Sequence, residues 1–216
     1  MKRIKLFSIL LMTAYITSCG TTIESTRVSM ASNYKQTFHK YLGSKVGSLE
    51  EYIPVNETPS TWTKMFSMQF MEGIKLSPKE LMLGLTDRAK SQCGKGVSYN
   101  VIAEEKDSIT FEWSVKNCKR IDNMKILLRD HSKEDCNMNY FTGIMWRGSE
   151  FIKPSGKCTN RATQTEIVKL IQGNDGVHRV AFTHKANKIK GNSRKYWLAS
   201  LKKAYVHKGG TKIILK

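Results

Sequence analysis

The segment Ile109-Thr-Phe-Glu-Trp-Ser-Val115 alternates apolar and polar residues without a break, so an extended chain carries Ile109, Phe111, Trp113 and Val115 on one face and Thr110, Glu112 and Ser114 on the other. A period of two is the signature of a half-buried strand, which needs a core on its apolar side and a pairing partner. The preceding run from Val97 to Ala103, joined through the polar turn Glu105-Lys-Asp107, supplies that partner as an antiparallel hairpin. Folding about Lys106 brings residues near 93 and 118 to the same open end. Both positions are cysteines.

The remaining elements fall around this hairpin. Tyr34, Phe38 and Tyr41 have helical spacing and predict a short helix over 32–42. Leu49–Val55 and Trp62–Met71 read as strands separated by the turn segment 56–60. Ser77-Pro-Lys-Glu80 is a capping box with proline at the first helical position. It opens a helix that buries Leu81, Met82, Leu85 and Ala89 and stops near Gly94. Met124–Leu128 and Tyr140–Trp146 are further candidate strands, the latter turning at Arg147-Gly148 and returning through Phe151-Ile152. Glu166–Ile171 and Val177–Thr183 form a second hairpin about Gly173-Asn-Asp-Gly176. A helix from Asn192 to Lys203 turns Trp197, Leu201 and Ala204 inward, and Lys212–Leu215 adds a last strand. Hairpin-connected strands with two or three packed helices predict an α+β fold built on an antiparallel sheet. The order of elements loosely resembles the fold shared by Mog1, the photosystem protein PsbP and the bacterial lipoprotein DcrB.

The start of the chain carries an address. Lys2, Arg3 and Lys5 form a basic patch, followed by an apolar run from Leu6 to Ile16. That run is short of the about 20 residues a membrane span requires and fits the apolar segment of a secretory signal. Ile16-Thr-Ser-Cys19-Gly20 follows, and here the chain resembles the bacterial lipoprotein family, whose lipobox places an aliphatic and one or two small residues before an invariant cysteine. The resemblance implies a diacylglycerol on the Cys19 sulfur, cleavage before Cys19 and acylation of the new amino group. Gly20 is not the aspartate that tends to retain such proteins in the inner membrane, so the resemblance implies the outer membrane. The expected organisation is a signal peptide over 1–18, a lipidated N terminus and flexible Thr/Ser-rich tether over 19–31, and a single basic α+β domain over 32–216.

Export bears on the other four cysteines, because disulfides persist in oxidising compartments. The hairpin geometry selects Cys93–Cys118, and a fold about residue 147 brings Cys136 to Cys158. A zinc site is the rival use, but no Cys-x-x-Cys pair is present and the ligands would be scattered. Neither metal nor cofactor is expected.

Catalytic patterns are sparse. His39, His131, His178, His184 and His207 form no close ligand pair, and His178 with His184 reads as edge or surface histidine. Asp130-His131 with Asp135 lacks a Gly-x-Ser-x-Gly nucleophile, and no phosphate-binding loop occurs. The chain carries a formal charge of +18, and residues 176–216 hold eleven Lys and Arg with no acid. Arg194, Lys195, Lys202, Lys203 and Lys208 are the candidate contacts for an anionic partner. The expectation is a non-enzymatic envelope lipoprotein, held to the membrane by its lipid. Its partners would be anionic envelope lipids, lipopolysaccharide or envelope proteins rather than nucleic acid. The alternatives are an accessory lipoprotein of a secretion or conjugation apparatus and a periplasmic hydrolase around Asp130 and His131.

Overall fold

The computed structural model describes residues 24–29, 32–41, 47–59, 61–118 and 162–207, together with the backbone of three short strands between 137 and 152. The strands are β1 (Ser25–Arg27), β2 (Tyr34–Tyr41), β3 (Ser48–Pro54), β4 (Lys64–Glu72), β5 (Val97–Glu105), β6 (Ser108–Cys118), β7 (Asn137–Met138), β8 (Met145–Arg147), β9 (Glu150–Ile152), β10 (Ala162–Gln172), β11 (Gly176–His184) and β12 (Tyr205–His207). The helices are α1 (Pro78–Cys93) and α2 (Gly191–Lys202). A seven-stranded sheet runs β2-β3-β4-β11-β10-β6-β5, and every neighbour is antiparallel. The chain is therefore α+β with a mostly antiparallel sheet. Two earlier units, the β2-β3-β4 meander and the β5-β6 hairpin, form the flanks, and the β10-β11 hairpin fills the gap between them.

Alternation along the central strands decides which helix covers which face. Val168 and Leu170 of β10 pack in one cluster with Phe111, Trp113 and Val115 of β6 and with Leu81, Met82 and Ala89 of α1. The intervening Ile167 and Ile171 pack in a second cluster with Phe66, Val180 and Phe182 and with Trp197 and Leu201 of α2. Trp197 stacks on Phe182 at 4.3 Å and on Phe66 at 5.3 Å between ring centroids, so one indole anchors α2 to β4 and β11 together.

The local predictions for these elements hold. Ser77 Oγ accepts from the Glu80 amide at 3.3 Å, and Glu80 Oε2 accepts from the Ser77 amide at 2.8 Å, which closes the capping box. α1 ends at Gly94 with φ +53°. Cys93 and Cys118 are disulfide-bonded across 5.3 Å between Cα atoms. Cys136, Cys158, the candidate strands at 124–128 and 212–215 and the trio Asp130, His131 and Asp135 lie outside the described residues.

Two expectations are corrected. The predicted helix over 32–42 is the edge strand β2. A bulge between Gln36 and Phe38 shifts its register against β3, so Tyr34 and Gln36 before it share a face with His39 and Tyr41 after it. Tyr34 and Tyr41 thus share a face at a seven-residue offset that a helix also produces, while Phe38 lies on the opposite, buried face. The second correction concerns the segment expected to be a tether. β1 pairs with β12, and Glu24, Thr26 and Val28 are buried. Two of those three side chains are polar, so no apolar pattern announces the strand.

Candidate functional site: a polar cleft beside the N-terminal strand

β11 lies between β4 and β10, which makes His178 an interior residue at 1% exposure rather than the edge or surface histidine the sequence predicts. Its Nδ1 lies 2.9 Å from Thr26 Oγ1, and its Nε2 lies 3.3 Å from Glu24 Oε2. A carboxylate can only accept, so Nε2 carries the proton and Nδ1 accepts from the Thr26 hydroxyl. Glu24 also accepts from the backbone amides of Asn174 at 2.7 Å and Asp175 at 3.4 Å in the β10–β11 turn. Gly173 is required there, because a Cβ at that position would press into the Glu24 carboxylate and the His178 ring. Phe70 stacks on the imidazole at 4.6 Å. The trio fastens the N-terminal strand to the sheet.

The fastening has a pH dependence. Burial pushes the Glu24 carboxyl up, but the Asn174 amide, His178 and the Asp175 amide together outweigh it and hold Glu24 below the usual carboxylate value. Burial pushes His178 down against the opposing pull of Glu24. Both folded-state values lie below the unfolded ones, so both groups stabilise the fold at high pH and lose that contribution as protons bind the unfolded chain. His178 acts first, below an ordinary imidazole value of 6.5, and Glu24 follows below 4.5. Wild-type protein is expected to lose more stability between pH 7 and 5 than His178→Asn, as read from urea midpoints; parallel pH profiles for the two proteins would refute this.

Beside the fastening lies a cleft of about 550 Å³ on the α2 side of the sheet. One wall is Glu24, Ser25 and Thr26; the floor is formed from β2, β3 and β4 by Gln36, Glu50, Tyr52, Met68 and Phe70. The Tyr52 hydroxyl donates to Glu50 Oε2, and burial with this neighbour pushes the phenol up. Gln36 Nε2 donates to the same carboxylate oxygen at 3.3 Å and to the Tyr52 oxygen at 3.2 Å. His39 Nε2 stands 3.9 Å from Glu50 Oε1 at the rim. Glu50 and Gln36 gave no sequence signal, since polar residues in a strand read as its wet face.

The structure places most of the predicted basic residues on α2, but not as a uniform row. Arg194 donates to Glu112 Oε2 at 2.7 Å and is half-committed to the sheet. Lys195, Lys202 and Lys203 are exposed. Lys208 and Cys19 lie outside the described residues. Lys169, not singled out by sequence, is buried and donates to the Ala204 carbonyl at 3.2 Å. Among the described residues no cluster of His, Cys, Asp and Glu could hold a metal ion, and no helix is long and apolar enough to cross a membrane. No family model, curated protein or solved structure matches the chain.

Proposed function

We propose that this chain is an envelope lipoprotein, anchored through Cys19 in the outer membrane. Its domain faces an oxidising compartment and binds other envelope components without catalysis. The Cys93–Cys118 disulfide is the observation that carries the reading, since it agrees with the export signal and requires an oxidising environment to persist. The described residues begin at Glu24, five residue steps from the proposed anchor. At about 3.5 Å per step Glu24 stays within roughly 17 Å of residue 19, which keeps this end of the domain close to the bilayer. Anionic lipid or lipopolysaccharide headgroups are the proposed contacts of Lys195, Lys202, Lys203 and Lys208, with Arg194 contributing from its pair with Glu112. The likeness to the Mog1, PsbP and DcrB fold belongs with this proposal and rests on the order of elements.

A second reading, an accessory subunit of a secretion or conjugation apparatus, is supported by β5. This strand ends the sheet with Tyr99 and Val101 exposed, an edge that another protein could extend. Two measurements separate the readings. Cys19→Ala is expected to move the protein from the membrane to the soluble fraction, and an unmodified Cys19 in native protein would remove the anchor. Lys202→Glu with Lys203→Glu is expected to weaken binding to anionic vesicles by about 2 kcal/mol, roughly 30-fold, and unchanged binding would sink the basic-face contact.

A further inference from the structure

We infer that the cleft between β1 and the β2-β3-β4 floor is a binding site for a small organic cation, a guanidinium or primary ammonium on a short apolar stem, with Glu50 as its counter-charge. The site is independent of the basic α2 surface and of the lipid anchor.

Charge is the first argument. The chain has 36 Lys and Arg, yet none of those among the described residues lines this cleft. Among the described residues its ionisable groups are two carboxylates, Glu24 and Glu50, two histidines, and the phenols of Tyr34 and Tyr52, which burial keeps neutral. Burial keeps His178 neutral and Glu24 is held charged, while His39 sits exposed at the rim. The cleft is a negative pocket in a strongly positive molecule, so it attracts the charge that the rest of the surface repels.

Hydrogen-bonding capacity is the second. Glu24 already accepts on both oxygens, from the Asn174 amide on Oε1 and from His178 and the Asp175 amide on Oε2. Glu50 is different, because Tyr52 and Gln36 both donate to Oε2, whereas His39 stands beyond hydrogen-bond reach of Oε1 at 3.9 Å. Tyr52 and Gln36 therefore position the carboxylate while leaving one oxygen to accept from a guest. On the wall, Ser25 Oγ is buried with no hydrogen-bond partner among the described residues. Such an atom costs free energy until something bonds to it.

Shape is the third. Met68 and Phe70 provide an apolar surface beside the acid, and a volume of about 550 Å³ falls in the range of small-molecule sites. An apolar lining with a few placed polar groups suits an amphiphilic cation better than a bare metal ion, for which the described residues offer no ligand cluster.

Butylguanidinium and its uncharged isostere butylurea make the test, titrated into the full chain in detergent micelles and followed by saturation-transfer NMR. Butylguanidinium is expected to bind saturably and butylurea at least tenfold more weakly. Glu50→Gln, which keeps an acceptor for Tyr52, is expected to reduce the butylguanidinium affinity at least tenfold. Glu72→Gln, at a carboxylate bonded to Tyr41 outside the cleft, is expected to change nothing. Equal affinity for the two probes, absence of saturable binding, or an undiminished Glu50→Gln would each overturn the inference. The probe comparison needs no variant, so it stands even if Glu50→Gln fails to fold.

Discussion

Arg179→Ala is expected to lower the free energy of unfolding by about 3–5 kcal/mol, the cost of stranding one partner of a buried ion pair. The guanidinium projects from β11 on the α1 side of the sheet, where it donates to Glu166 Oε1 of β10 and to Ser67 Oγ of β4 at 3.1 Å. Arg179 is 4% exposed and Glu166 is fully buried. Glu166 also accepts from the Trp113 indole at 2.8 Å and the Thr183 hydroxyl at 2.9 Å, so one carboxylate ties β6, β10 and β11. Without the arginine, that carboxylate keeps two neutral donors and no counter-charge in a dry interior. A loss of this size is a large share of the about 5–15 kcal/mol that holds a typical domain together. Urea denaturation of the single variant and of Arg179→Met with Glu166→Gln tests the cause as well as the size. Removing both charges is expected to cost less than removing the arginine alone, because nothing ionised is left unpaired. A single-variant loss under about 1 kcal/mol would show that the pair is not desolvated as described. A double variant that costs as much as the arginine variant alone, or more, would show that the unpaired charge is not the cause.

The parts of this fold that the sequence displays are those encoded by neighbours in the chain. The capping box at Ser77 and Glu80, the alternation in β6 and the turn between β10 and β11 each complete their own hydrogen bonds or their own face within a dozen residues. Trp197, Leu201 and Ala204 read correctly as inward-facing because one amphipathic helix carries two of them and its end the third. The disulfide follows from the hairpin that brings its ends together. Strand order is different: β11 meets β4, and β10 meets β6, through partners that no local pattern specifies. The candidate site is less legible still. Glu24 and His178 are 154 residues apart and meet only because β1 returns to the sheet beside β12. Buried polar residues look like surface residues in a sequence, since each is satisfied by a partner that has not yet been placed. The bulge in β2 adds an opposite error, in which a strand borrows the spacing of a helix.

Removing the Cys93–Cys118 bond is expected to cost about 3 kcal/mol, the loop-closure entropy for cysteines separated by 25 residues. The bond fastens the end of α1 to the end of β6, and it encloses the whole β5–β6 hairpin. The neighbourhood is tight: a Cβ at Gly96 would stand 2.6 Å from the Lys116 carbonyl oxygen, so the turn between α1 and β5 has little room to relax. Without the bond, β5 remains an edge strand held by β6 and by α1, and the expected effect is partly a gain of freedom in the unfolded chain and partly fraying of that edge. Cys93→Ala with Cys118→Ala is the right comparison, because a single substitution would leave a reactive thiol. Its melting temperature is expected to fall by about 6–12 °C, given about 2–4 °C per kcal/mol in a domain of this size. Wild-type protein treated with reductant should fall by a comparable amount; if it melts unchanged while remaining reduced, the bond contributes nothing to stability. Reductant added to the double variant then reads a different pair. A further fall there reports on Cys136 and Cys158, and its absence places the whole effect at the end of α1.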